Sequence, residues 1–163
     1  NGPLILSIPI KKENKLKTRI SDIRIDYDTD DWQKMHLKSI ESAYRHSAFY
    51  EFYFDSIKTH ILNNYKYLIE LNQALTDMIS DILNIKKKYV WTKVFKDDLN
   101  NDYRYSIHPK KRCQKPDPDF TPVNYYQVFS DKHGFQPNIS IIDLIFNKGP
   151  ESVELLKQCI TEV

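Results

Sequence analysis

The sequence predicts an α+β fold, a small and mostly antiparallel sheet packed at one side with about five helices. Three observations lead there. Short β-prone runs stand near both ends of the chain, two apolar stripes of helical period fill its middle, and the order of elements does not alternate between strand and helix. This order disfavours a doubly wound parallel sheet.

The first strand is predicted over residues 4–10, LILSIPI, between Gly2–Pro3 and a charged stretch; Pro9 places it at an edge or a strand end. Residues 11–18 are polar and read as a hairpin or loop. A second strand is predicted over 21–27, where Ile23 and Ile25 alternate with polar residues. Asp30 followed by Gln33 reads as a capping box opening a helix that runs to about Tyr44. Leu37, Ile40 and Tyr44 recur at helical steps on its face, with His36 beside it. Ser47 is a second candidate N-cap, before a helix carrying Phe49, Phe52, Tyr53, Ile57 and Ile61.

The strongest helical signal is 67–83. Leu68, Leu71, Leu75, Met78, Ile79 and Ile82 form one stripe without Gly or Pro. Residues 89–95, rich in β-branched and aromatic side chains, predict a strand. Residues 96–122 are polar and contain four prolines; they predict a long loop, a covering loop ahead of the alternative of a disordered segment. A short strand over 125–129, a turn over 131–134, a helix over 140–146 and a last helix over 150–161 complete the reading. Ser140 serves as a cap, and Pro150 suits a first helical turn.

Composition narrows the function. The 24 basic and 22 acidic residues leave a formal charge of +2, too balanced for a nucleic-acid partner. The lysine and arginine runs at 86–88 and 110–112 read as solvated edges or turns, with phosphate binding as the alternative. No apolar stretch approaches the roughly 20 residues of a membrane span. The two cysteines, Cys113 and Cys159, have no CxxC spacing, and free thiols in a cytoplasmic protein are the simplest account. The five histidines make no metal-binding pair, and three glycines cannot write a phosphate loop. No metal and no cofactor is expected. Cys113 lies among cations that favour a thiolate, but a plain surface cysteine is the preferred account.

The densest punctuation lies at 124–152, NYYQVFSDKHGFQPNISIIDLIFNKGPES, which holds two of the three glycines, a His–Gly turn, a Pro–Asn pair and a Gly–Pro break. With WQKMHLKSIESAYRHSAFYEFY at 32–53 and NGPLILSIPI at 1–10, this block resembles the WbqC-like protein family in collinear order across nearly the whole chain. Members carry a further N-terminal region rich in Tyr, Lys, Arg and Asn that ends near the Asn–Gly opening this chain. The resemblance thus implies that residues 1–163 form a single domain lacking an N-terminal portion, which could itself hold part of an active site.

Two polar–aromatic sets fall in the resembling segments. One is Trp32, His36, Glu41, Tyr44, Ser47 and Tyr50; the other is Tyr126, Gln127, Asp131, His133, Asn138 and Asp143. A neutral imidazole on a glycine turn can take a proton near neutral pH, so His133 leads. Asp131 could orient it, or Asp143 could approach through the fold. His133, Asp131 and His36 are the catalytic candidates. Trp32, Tyr44, Tyr126, Gln127, Asn138 and Asp143 are the substrate-binding candidates, with Asn138 and Gln127 able to donate to a developing oxyanion. For each, a cap, a turn contact or a satisfied buried group is the ordinary alternative.

The family occurs in surface-polysaccharide and O-antigen gene clusters, and glycine transfer to a sugar has been suggested for some members. The resemblance therefore implies an acyl- or aminoacyl-transferase acting on an amino sugar, nucleotide-linked, with a small-molecule substrate as its partner. The alternative is a non-catalytic module that binds a glycan precursor or a protein. The donor, the acceptor and the oligomeric state stay open.

Overall fold

The structure, a computed structural model, describes residues 2–11, 18–86, 88–96, 102–108 and 111–160. It corrects the predicted fold class. The described residues contain helices and three isolated bridges, and no strand or sheet.

Three helices come first: α1 (Trp32–Tyr44), α2 (Tyr50–Leu62) and α3 (Leu68–Ile82). They pack in sequence, α1 on α2 and α2 on α3. Helix α1 buries Trp32, His36 and Ile40 at steps of four, α2 buries Ile57 and Ile61, and α3 buries Leu71 and Met78. A single turn, α4 (Ser130–His133), leads to α5 (Ile141–Lys148), then a 3-10 turn (Gly149–Glu151) and α6 (Ser152–Gln158). Short 3-10 turns also stand at Ile20–Asp22 and Lys111–Cys113.

The core joins both halves. Phe146 of α5 is fully buried against the rings of Tyr44 and Tyr50, at centroid distances of 5.2 and 5.4 Å. Its carbonyl accepts from Phe49 N at 2.9 Å, tying α5 to the entry of α2. Burying a phenylalanine of this kind stabilises the fold by about 2–3 kcal/mol.

The missing sheet has a local cause. Residues 9–11 and 24–26 do run antiparallel, with Lys11 N donating to Arg24 O and Asp26 N to Pro9 O. Pro9 has no N–H to continue the ladder. On the other side, Ile25 N donates to Lys66 O and Leu68 N to Ile23 O, but α3 starts at Leu68 and takes the following amides. The predicted strands over 4–10 and 21–27 thus shrink to the bridges Ile10–Ile25 and Arg24–Tyr67. Residues 89–95 are unpaired and exposed. Of the predicted strand over 125–129, nothing pairs, because Phe129 already turns into α4.

Helix boundaries agree within a few residues, but two caps differ. Asp31, not Asp30, sits at the N-cap of α1, and its carboxylate takes Lys34 Nζ at 2.6 Å in place of a backbone amide. Gln33 donates to Ile61 O at 2.6 Å, joining α1 to the end of α2. Ser47 donates to Tyr44 O at 2.6 Å and so closes α1 rather than opening α2. Ser140 does cap α5, accepting from Ile142 N. Residues 12–17 of the expected hairpin, 97–101 and 109–110 of the expected loop, and position 161 of the last helix lie outside the described residues.

Candidate functional site

Asp143 lies in the first turn of α5, and only 3% of it is exposed. A buried carboxylate needs donors. Two reach the same oxygen: the Tyr125 hydroxyl donates to Oδ2 at 2.7 Å, and Gln127 Nε2 donates to Oδ2 at 3.0 Å. The Tyr44 phenol lies close to this carboxylate from α1. Burial, and then the negative charge of Asp143, push the Tyr44 phenol well above the ordinary range. Tyr125 is raised in the same way, by burial first and by its bond to Asp143 next. Both phenols therefore keep their protons and act as donors rather than as bases.

Gln127 works in two directions. Its Nε2 also donates to Gln136 O at 3.0 Å, and its Oε1 accepts from Gln136 N at 2.8 Å. Its backbone carbonyl takes both the Ser130 hydroxyl and Ser130 N. The rings of Tyr125 and Phe135 meet edge-on at 5.3 Å. Together these contacts pin both ends of α4 and its turn to the buried carboxylate. Gly134, at φ +67, lets the chain reverse after His133.

His133 stands exposed at the end of α4, and its carbonyl accepts from Gln136 Nε2 at 2.8 Å. Asp131 is exposed on the same turn. Asn138 is exposed in the left-handed region, at φ +56, a conformation asparagine tolerates well. Tyr126 faces out, 61% exposed. The structure thus gathers the half-buried Tyr44 with the buried Gln127 and Asp143 and holds the His133 turn against them.

Trp32 and His36 belong to a different place. Their rings meet edge-on at 5.1 Å in the core, and His36 Nε2 lies 3.1 Å from Ser7 O. That carbonyl can only accept, so His36 carries its proton on Nε2. Burial lowers its pKa, and the Ser7 bond opposes the shift only in part. The eight residue steps from His36 to Tyr44 span about 12 Å along α1.

Sequence reasoning missed Tyr125 and Asn147. In an extended stretch alternate side chains share a side. Tyr126 outward therefore places Tyr125 and Gln127 inward together, and that signal was available. Asn147 donates from Nδ2 to Asp143 O at 2.7 Å, and its Oδ1 is buried without a partner among the described residues. No spacing pointed to it.

Among the described residues, no group of three or more His, Cys, Asp and Glu side chains gathers to hold a metal ion, and no helix is long and apolar enough to cross a membrane. A shallow, open hollow of about 320 Å³ lies elsewhere, between Trp91 and Ile69, Glu70, Gln73, Ala74 and Asp77 of α3.

The family model described as the WbqC-like protein family matches residues 1–115. The chain belongs to the WbqC-like protein family. Trp32, His36 and Tyr44 lie within the matched span of this WbqC-like chain, whereas Tyr125, Gln127, His133 and Asp143 follow it. No curated protein and no solved structure matches the chain.

Proposed function

We propose that this WbqC-like protein transfers an acyl or aminoacyl group, glycyl included, to the amine of a nucleotide-linked amino sugar during surface-polysaccharide assembly in the cytoplasm. One observation carries the reading. An exposed imidazole, His133, stands on a turn that Gln127 fixes to a buried carboxylate, and a solvent-reachable imidazole on a fixed turn is suited to proton transfer.

In the proposed step the sugar amine attacks the carbonyl carbon of an activated donor, a thioester or mixed anhydride. The new C–N bond forms, and the bond to the donor's leaving group breaks with its electron pair. His133 takes the amine proton and passes it to the leaving group. The exposed Asn138 amide donates to the carbonyl oxygen as charge develops. The amide of Gln127 is engaged at both ends, so it acts by positioning the turn. Asp143, Tyr44 and Tyr125 support that turn from below.

The test is turnover. The chain is incubated with nucleotide-linked amino sugars and acetyl or glycyl thioesters, and the acylated sugar is sought by mass spectrometry. Product formation that His133→Ala abolishes, with the melting temperature held within a few degrees, supports the reading. No product with any pair, from a protein that melts cooperatively and is stabilised by none of these ligands, overturns it. A second reading is a non-catalytic module that holds a glycan precursor. Tyr126 and Phe129, both well exposed in the same segment, favour it. It predicts stabilisation by the sugar without turnover.

A further inference from the structure

Charge is unevenly distributed along this chain. Residues 86–115 hold ten of the 24 basic side chains and three of the 22 acidic ones, a formal +7. The remainder holds fourteen basic and nineteen acidic, a formal −5. The near-neutral total hides a strongly basic segment.

The same segment exposes apolar surface. Every residue from Lys88 to Lys96 is exposed, and none pairs in a sheet. Val90 is 80% exposed, Trp91 68% and Phe95 74%, with Val94 alongside. Lys86, Lys88, Lys93 and Lys96 interleave with them. The stretch is not adrift. Trp91 leans on α3 over the shallow hollow, and the Arg104 guanidinium covers the Phe95 ring at 4.6 Å. The pattern continues beyond, where Lys115 Nζ lies 4.7 Å from the centre of the Tyr105 ring and Ile107 is exposed.

A contiguous apolar stretch in water marks an interaction site. Interleaved lysines favour an anionic partner. A bilayer with anionic headgroups meets both demands, because phosphate lies above hydrocarbon. Tryptophan and tyrosine rest at headgroup depth, and apolar side chains enter below them. A nucleic acid would stack on the aromatics yet leave Val90, Val94 and Ile107 in water. We propose that this basic, aromatic face docks the chain peripherally on an anionic membrane surface. Val90, Trp91, Val94 and Phe95 enter the headgroup layer, and the four lysines hold lipid phosphates.

The chain contains two tryptophans, and Trp32 is buried, so a fluorescence change reports on Trp91. The protein is mixed with vesicles of phosphatidylcholine and with vesicles of an equimolar phosphatidylcholine–phosphatidylglycerol mixture, then sedimented. It should pellet with the anionic vesicles only, release as salt rises, and shift its tryptophan emission to the blue. The exposed-site variant Lys88→Gln/Lys93→Gln/Lys96→Gln should weaken partitioning about a hundredfold, roughly fivefold for each lysine, with its far-ultraviolet circular dichroism unchanged. Trp91→Ala should remove the emission shift. Equal pelleting with both vesicles, pelleting with neither, or an unshifted emission overturns the proposal. Tighter capture by polyuridylate than by anionic vesicles at the same salt also overturns it, in favour of a single-stranded nucleic acid.

Discussion

The Tyr125 hydroxyl donates to Asp143 Oδ2 at 2.7 Å across 18 residues of chain, and this bond ties the segment before α4 to the first turn of α5. Gln127 donates to the same oxygen from two residues further on. The carboxylate is therefore the fixed point on which the His133 turn is hung, whatever chemistry that turn performs.

Removing that fixed point should cost more than removing either donor. Tyr125→Phe deletes one bond but leaves Gln127 on Asp143, so a loss of about 1–2 kcal/mol is expected. Asp143→Ala leaves the Tyr125 hydroxyl and one Gln127 bond unmet in a buried site, for about 3–4 kcal/mol. Urea denaturation of the two variants checks the order. A smaller loss for Asp143→Ala than for Tyr125→Phe would show that the network does not carry the stability assigned to it.

His36 sets an acid-side dependence. Its pKa is lowered in the folded chain, so the unfolded chain binds the proton first as pH falls. The contribution is present above the ordinary histidine value of about 6.5 and drains away below it. Stability should fall on passing from neutral pH to pH 5, and His36→Gln should flatten that part of the curve while keeping a donor for Ser7 O. An unchanged slope in the variant would assign the acid sensitivity to other groups.

How far the sequence could be read turns on where the physics is local. The stripe Leu68, Leu71, Leu75 and Met78 announces α3, and the same stripe is what the core buries. Sheet formation depends on a partner, and β-branched residues at 89–95 record only a preference for one. Residues 23–27 found partners on both sides, but Pro9 and the start of α3 stopped each ladder after one rung. At the site, Gln127 and Asp143 stood out as polar groups in apolar surroundings, and their meeting depends on how α5 docks. Trp32 and His36 looked similar in the sequence and landed in the core, because a helix face does not reveal which side a neighbouring segment will cover.

Half-buried tyrosines give a matching dependence on the alkaline side. Tyr44 and Tyr125 are raised well above the ordinary phenol value of about 10. Tyr50 is raised to about 12, by burial first and by Glu41 and Asp55 next. Each keeps its proton when folded and loses it more readily when unfolded. Their contribution is intact below pH 10 and is lost progressively above it. A spectrophotometric titration of the 11 tyrosines should show an early group that ionises in the folded chain and a late group that ionises with unfolding. A single early transition comprising all of them, in a chain still folded, would contradict the burial of this network.

Gly149 ends α5 in the left-handed region, at φ +50, and a Cβ built there would sit 2.5 Å from Phe49 Cδ1. Two separable penalties follow for Gly149→Ala. The backbone penalty is about 1 kcal/mol for an L-residue held at this φ. The collision adds a further 1–3 kcal/mol or so, because an overpacked site must shift its neighbours. Here the neighbour is the Phe49 ring, at the residue whose N–H bonds Phe146 O and seats α5 against α2. The double variant Gly149→Ala/Phe49→Ala separates the two. It should lose less than the sum of the single losses, because the ring that the new methyl strikes is gone, while the backbone part stays. Thermal or urea unfolding of the four proteins closes the cycle. Strict additivity would mean that the ring of Phe49 does not lie against Gly149, and that α5 meets α2 in some other way.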